Sequence, residues 1–415
     1  MKNFLSFLLL LFMMTSGTVL AQQPLEISIQ TDKPGAEIQP TMWGVFFEDI
    51  NFAADGGIYA ELVKNRSFEF ELPLSGWSQT AKQNGTGRIV PGFYSPSNSG
   101  NPHLVSVYID PAAGSFGLTN EYFLLAGDMG AEPLPILNCG MSCQFNAAEV
   151  VPLEELDTYI QDALDLIEFA NGDPSTRWGG LRSEMGHPAK FNMKYLGIGN
   201  EQWDEQYIER YWVFKKVLKE KHPEIKIVSG SGPSSAGRMF EYGWSELRKL
   251  SPDLIDEHYY MPPEWFLENA ARYDNYDRNG IKVFAGEYAA PGKEGTAAES
   301  RNTWWSALCE AAFMTGQNGI YASSSVDRKN GKLYIKPVNS SEKQVPVRLA
   351  LGKLPYTKSA VRQTLKSENR EDFNSVSGQE LIIPSEIPVS ITGRRIDTVS
   401  EPLSVNVIII DFKVR

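Results

Sequence analysis

Short apolar runs that end on polar residues alternate with amphipathic stretches from Leu118 to about Thr315. PLPILN (133–138), KYLGIGNE (194–201), IKIVSGSG (225–232), LIDEHYY (254–260) and IKVFAGEYA (281–289) read as buried strands. The intervening segments EYFLLAGDMGA (121–131), 152–170, 207–222, 238–250 and 299–315 read as helices, with Pro152 near one start and Pro223 just past one end. Such alternation predicts a parallel sheet covered by helices. A further apolar run, MWGVFFEDI (42–50), reads as an earlier strand ending in Glu48 and Asp49. From Gly319 onward the pattern switches to period two. IYASSSVD, a turn at RKNG and KLYIKPVN form a hairpin signature, and short strands continue to Val414. That texture predicts an antiparallel β-sandwich.

Polar residues gather at the carboxyl ends of the predicted strands, where both a (β/α)8 barrel and a doubly wound sheet build their sites. Several separate strands carry such residues, which favours the barrel. Strands are expected near residues 45, 135, 197, 228, 256 and 284, two fewer than the eight of a complete ring. The expected class is therefore α/β: an incomplete TIM-type (β/α)8 barrel with a C-terminal antiparallel β-sandwich.

The first 21 residues, MKNFLSFLLLLFMMTSGTVLA, have a basic start, an apolar run and small residues before Gln22. They read as a secretory signal peptide, too short in its apolar part to span a bilayer. Export to the periplasm or the exterior is expected, with no membrane span. The expected organisation is residues 1–21 as signal peptide and 22–71 as lead-in and first barrel strand. A shortened β insertion at 72–117, the rest of the barrel at 118–317 and the sandwich at 318–415 complete it.

Net charge is −12 over 415 residues, which argues against a nucleic-acid partner, since a polyanion needs a basic patch. The 3 cysteines exclude a disulfide scaffold. Cys139 and Cys143 flank a three-residue loop and are readable as a bridge or as free thiols, whereas Cys309 falls in a helix as a core residue. No HExxH pair or CxxC array is present, so no metal site and no cofactor are expected. GSGPSSAG (230–237) has neither the spacing nor the lysine of a phosphate loop.

Two glutamates stand out. Glu201 follows Asn200 at the end of one apolar strand, and Glu287 follows Gly286 at the end of another. A carboxylate closing an apolar run is costly unless paired or used. A pair of them suits glycoside hydrolysis, one attacking the anomeric carbon while the other protonates the leaving oxygen. Weaker candidates are Glu48 and Asp49, and the run Asp256-Glu257-His258-Tyr259-Tyr260.

These strings resemble a known family. WGVFFEDINFAADGGIYAELVKNRSFE, ILNCGMSCQFN, KYLGIGNEQW, DEHYY with PPEWF, and VFAGEYAA are similar to the exported branch of glycoside hydrolase family 51, the α-L-arabinofuranosidases. The resemblance implies a retaining enzyme on a (β/α)8 barrel with an appended sandwich, acting on arabinose-containing oligo- or polysaccharides. By position, Glu201 corresponds to the acid/base and Glu287 to the nucleophile. Asn200 would bond the sugar 2-hydroxyl, Glu48 would grip arabinose hydroxyls, and His258 and Tyr259 would line the pocket and orient the nucleophile.

The chain also departs from the family. It lacks the phenylalanine-proline-diglycine motif of the second barrel strand, passing from SVYIDPAAGSF straight into GLTNEYF. It also lacks the eighth strand, since NGIYAS follows MTGQ at once. Lost strands expose backbone groups and open a barrel. The alternatives are a catalytically impaired, shortened member of the family or another retaining barrel glycanase.

Overall fold

A computed structural model of the chain describes residues 23–40, 42–46, 87–93, 103–109, 117–145, 147–291, 302–315, 320–353, 355–375, 378 and 380–414. The segment read as a signal peptide, and Glu48 with Asp49, lie outside the described residues. The chain divides into two compact units. One comprises residues 39–257 and 281–286; the other comprises 1–38, 258–280 and 287–415.

Strand β1 (Leu25–Ile29) comes first. It is followed by a hairpin in which β2 (Gly87–Phe93) pairs antiparallel with β3 (His103–Ile109). Helix α1 (Gly117–Met129) leads to β4 (Ile136–Leu137), α2 (Asp157–Asn171), α3 (Arg177–Glu184) and β5 (Tyr195–Ile198). The alternation continues through α4 (Asp204–Lys221), β6 (Lys226–Gly230), α5 (Arg238–Leu250), β7 (Leu254–Tyr260), α6 (Pro263–Glu268) and β8 (Lys282–Ala289). These strands form one sheet in the order β4-β5-β6-β7-β8, and β4 to β7 pair in parallel. Five of the six strands expected from the sequence are thus in the sheet. The remaining run does not behave as read. Residues 42–46 form no strand, and Met42, Trp43, Val45 and Phe46 are exposed. An apolar run becomes a buried strand only where a sheet edge takes up its backbone groups, and no described strand pairs with this one.

The helices follow from their apolar spacing. In α2, Ile160, Ala163, Leu164 and Ile167 repeat at three and four residues and are buried. In α4, Tyr207, Tyr211, Phe214 and Leu218 do the same, with Asp204 and Glu205 in the first turn and Lys219 and Lys221 in the last, as the helix dipole favours. Helix α3 is weakly signalled in the sequence because Gly179 and Gly180 lower helix propensity. Thr176 starts it, accepting from the Gly179 N–H at 3.2 Å. Arg182 then buries its whole side chain and donates to the carbonyls of Phe169, Gly172 (2.9 Å), His187 (3.0 Å) and Pro188 (3.2 Å). One guanidinium thereby satisfies the carbonyl end of α2 and the loop after α3.

The other unit holds the sandwich. After α7 (Trp304–Phe313) come β9 (Ile320–Asp327), β10 (Lys332–Asn339), β11 (Val345–Leu351), β12 (Tyr356–Lys366), β13 (Ser385–Ser390), β14 (Arg395–Ser400) and β15 (Ser404–Phe412). One sheet runs β13-β12-β15-β10-β9 and the other β1-β11-β14. β9 and β10 form the expected hairpin, with Asp327 opposite Lys332. Gly331 closes its turn at φ +65°, where a Cβ would also meet the Phe412 carbonyl at 2.5 Å. Alternate residues of both sheets make the core, among them Leu333, Ile335, Leu349, Ile396, Ile408 and Ile410. The lead-in strand β1 pairs parallel with β11. It therefore belongs to the sandwich and not to a barrel lead-in, because its Ile27 and Ile29 pack against that core.

Replacing Arg182 by Met should lower the unfolding free energy by about 3 kcal/mol, since it leaves buried carbonyls without a donor. Denaturant unfolding at neutral pH measures this. A loss below about 0.5 kcal/mol would mean the bonds add nothing net.

Candidate active site at the carboxyl ends of the strands

Glu201 stands three residues past the end of β5, on a turn built from unusual backbone. Gly199 has φ +74°, and a Cβ there would lie 2.7 Å from Gln202 Oε1, 2.8 Å from Tyr207 Cε2 and 3.0 Å from Cys139 Sγ. Only glycine fits. Asn200 is exposed, and Glu201 itself, half-buried, has φ +58°. A non-glycine residue pays roughly 1–2 kcal/mol in that region, a cost that clusters at functional positions. The turn is held from two sides. Trp203 donates its N–H to Gln144 Oε1 (2.7 Å), and Gln144 Nε2 donates back to the Trp203 carbonyl (3.2 Å). Tyr207, fully buried on α4, donates its hydroxyl to the Ile198 carbonyl (2.8 Å) and accepts from the Gly230 N–H (2.8 Å). One phenol thus ties the end of β5 to the end of β6. Burial holds the Tyr207 hydroxyl well above its ordinary pKa, so it remains a donor.

Cys139 is buried below the same turn, and burial pushes its thiol up to about 12. It therefore stays protonated and is no nucleophile. Cys139, Cys143 and Cys309 are all free thiols; Cys143 is exposed, and Cys309 is buried in α7.

Glu287 sits near the end of β8 and is buried. The Tyr260 hydroxyl donates to its Oε2 at 3.0 Å, and His258 Nδ1 lies 3.6 Å from the same oxygen. β8 is the neighbour of β7 in the sheet, and contacts join the two along their length. Gly286 N–H meets the Asp256 carboxylate at 2.7 Å, His258 meets Glu287, and Met261 N–H meets the Ala289 carbonyl at 3.2 Å.

Strand parity decides which residues of β7 face Glu287. Asp256, His258 and Tyr260 share one face; Glu257 and Tyr259 take the other. Glu257 is fully buried and accepts from Trp244 Nε1 at 3.0 Å. Tyr259, expected to line the pocket, points away from Glu287. Its hydroxyl pairs with that of Tyr273 at 3.0 Å, and its ring packs on Trp265, Phe266, Tyr288 and Phe313. The tyrosine that reaches Glu287 is Tyr260. The signal was available in the sequence: on an extended strand, the partner of His258 is two residues away.

One more carboxylate supports the end of β8. Glu310 of α7 accepts the Ala290 N–H at 2.7 Å, and burial raises its pKa above the ordinary carboxylate value. A group with a raised folded pKa gives its stability below the unfolded pKa and loses it as pH rises through the folded one. Glu310→Gln keeps the acceptor and removes the buried charge. It should be as stable as the parent at pH 3 and more stable at pH 8, read by thermal melts at both; a variant less stable at pH 8 would contradict this. Tyr259→Phe should cost about 1 kcal/mol, by losing the buried hydroxyl pair, while exposed Tyr260→Phe should stay within about 0.5 kcal/mol of the parent. Urea unfolding of the two variants side by side would show a reversed order if the parity were misassigned.

Comparison with known proteins bears on this arrangement. A family model described as Alpha-L-arabinofuranosidase 1 domain matches residues 77–278, which include Glu201 and the β7 residues. An extracellular exo-alpha-L-arabinofuranosidase of Streptomyces chartreusis is 44% identical over 209 residues, covering 49% of this chain and 24% of that protein. Alpha-L-arabinofuranosidase 2 of Arabidopsis thaliana is 34% identical over 213 residues, covering 50% and 28%. This chain thus spans about a quarter of the length of these relatives. Among solved structures, the arabinose-bound MgGH51 α-L-arabinofuranosidase superposes with a TM-score of 0.61 at 23% identity, over 74% of this chain and 58% of that one. The arabinose complex of the Thermotoga maritima α-L-arabinofuranosidase gives 0.57 at 15% identity, over 71% and 78%. These likenesses show the fold, a (β/α) barrel with a β-sandwich, here with five strands in the parallel sheet among the described residues. Over residues 77–278 the chain is thus similar in sequence to the α-L-arabinofuranosidases, and its fold is that of the solved structures of glycoside hydrolase family 51.

Proposed function

We propose that the protein is a retaining glycoside hydrolase that removes terminal non-reducing α-L-arabinofuranosyl residues from arabinose-containing polysaccharides. The observation that carries this is Glu287: a buried carboxylate at the end of a barrel strand, with the Tyr260 hydroxyl and the His258 imidazole both on its Oε2. A hydrogen bond donated to one carboxylate oxygen fixes the rotamer of a nucleophile without consuming its charge. Glu201, on its left-handed turn after β5, is the second carboxylate.

In this reading Glu287 attacks the anomeric carbon while Glu201 gives its proton to the leaving glycosidic oxygen. The bond to the aglycone breaks and a glycosyl ester forms on Glu287. Glu201, now ionised, takes a proton from water as the water oxygen attacks the same carbon, which releases arabinose and restores both carboxyls. Retention requires the two carboxyl groups about 5–5.5 Å apart. Asn200, exposed beside Glu201, would bond the sugar 2-hydroxyl. His258 orients Glu287 together with Tyr260, which replaces Tyr259 in that role. Glu48 is retained as a candidate grip on the sugar. No cofactor takes part in these steps.

Export fits the same reading. Residues 1–21 have the pattern of a signal peptide, the Streptomyces relative is named as extracellular, and no helix among the described residues is long and apolar enough to cross a membrane. An arabinose-containing oligo- or polysaccharide outside the cell would then be the partner.

A second reading is favoured by one observation. The parallel sheet has five strands among the described residues, and β4 is only two residues long. A sheet of five described strands, short of the eight of a barrel, supports a non-catalytic derivative that keeps the sugar site without turnover. The purified chain with p-nitrophenyl α-L-arabinofuranoside separates the two. Turnover should fall at least about 1000-fold in Glu287→Ala. Glu201→Ala should be rescued by azide, which replaces water in the attack on the Glu287 ester, so that the α-arabinofuranosyl azide of retained configuration is detected by NMR. Turnover at the Glu287→Ala background in the parent, with arabinose still bound, would establish the non-catalytic reading.

A further inference from the structure

Asp256 is a buried carboxylate that the hydrolytic steps above do not use. Its backbone is locked to the end of β6, where its carbonyl accepts from the Ser231 N–H at 2.9 Å and from the Ser231 hydroxyl at 2.8 Å. Its side chain crosses in the other direction to β8 and accepts the Gly286 N–H at 2.7 Å. The fit against that glycine is close. A Cβ built on Gly286 would lie 2.6 Å from each carboxylate oxygen and 2.9 Å from Cγ. Gly286 is thus demanded by the approach of Asp256 and not by a left-handed backbone. The two residues interlock one position before Glu287.

We propose that Asp256 is a positioning residue for Glu287: by clamping the Gly286 amide it sets the height of the β8 backbone from which the nucleophile projects. The proposal rests on Glu287 being the nucleophile. A purely structural bond would lower stability and leave the turnover of the folded fraction unchanged. A positioning bond makes the rate of the folded protein sensitive to it, because a shift of about 1 Å in a reacting group can cost on the order of 100-fold. It also makes the oxygen acceptor the needed property, which asparagine retains.

The test uses the full chain as parent, Asp256→Ala, Asp256→Asn, Gly286→Ala and Glu287→Ala, with the folded fraction of each fixed by circular dichroism. With p-nitrophenyl α-L-arabinofuranoside, Asp256→Ala and Gly286→Ala should lose about 100-fold in kcat with KM within about threefold. Asp256→Asn should recover to within about tenfold of the parent. Equal losses in Asp256→Ala and Asp256→Asn, a change confined to KM, or no change in kcat would overturn the proposal.

A second readout does not need turnover. Amide hydrogen exchange at Gly286 should speed up at least about tenfold in Asp256→Ala and stay near the parent rate in Asp256→Asn. Unchanged exchange in Asp256→Ala overturns the clamp even if the parent is inert. Glu287→Ala with parental turnover would instead remove the assignment of the nucleophile while the exchange result still judges the clamp, so the two failures are distinguishable.

Discussion

The pairing of β7 with β8 is the constraint on which the candidate site depends. β7 carries aspartate, glutamate, histidine and two tyrosines in succession, and the first four are buried. Burying so many polar groups on one strand is tolerable only if each finds a partner. Strand geometry supplies two separate sets. On one face Asp256, His258 and Tyr260 meet β8; on the other Glu257 meets Trp244 and Tyr259 meets Tyr273. A slip of one residue would exchange the sets and leave both without partners. The register of a single strand thus determines what surrounds Glu287.

The turn after β5 uses a different device. Its backbone leaves the sheet through Gly199, Asn200 and Glu201, two of them left-handed, and that geometry would relax if the surroundings allowed it. Close packing prevents this. Tyr207 and Cys139 fill the space that a side chain at 199 would need, while Gln144 brackets Trp203 just beyond. Rigid helices behind the strands hold a carboxylate on a strained loop. This arrangement suits a group that must be presented and not merely buried.

The matched stretch covers only part of the curated relatives. The curated relatives are some four times longer than that stretch, and among the described residues the parallel sheet has five strands, β4 and β8 being the outermost. Edge strands present unpaired backbone groups, and β4 contributes only Ile136 and Leu137 to its side of the sheet. The sandwich, by contrast, is built from both ends of the chain. The first strand closes beside β11, so Leu25–Ile29 are committed to that unit.

Much of this was legible from residue pattern. Apolar runs with polar ends located β5 to β8, and period-two alternation located the hairpin of β9 and β10, because those signals come from a residue's own burial and backbone preference. The run at 42–46 shows the limit, since an apolar string becomes a strand only if an edge receives it. α3 was hidden by its glycines, of which Gly179 is required by packing against Asp173: a Cβ there would lie 2.2 Å from that carbonyl. Glu201, Glu287 and His258 were visible as chemistry at strand ends. What surrounds them was not. The choice of Tyr260 over Tyr259, the clamp of Asp256 on Gly286 and the reach of Tyr207 across two strands all depend on the registers of neighbouring strands and on distances between residues remote in sequence. Sequence by itself determined which segments form strands and which polar groups close them, since both are local properties. Only the tertiary structure decided which of those groups meet, because a contact belongs to two segments and a one-residue shift in either reverses it.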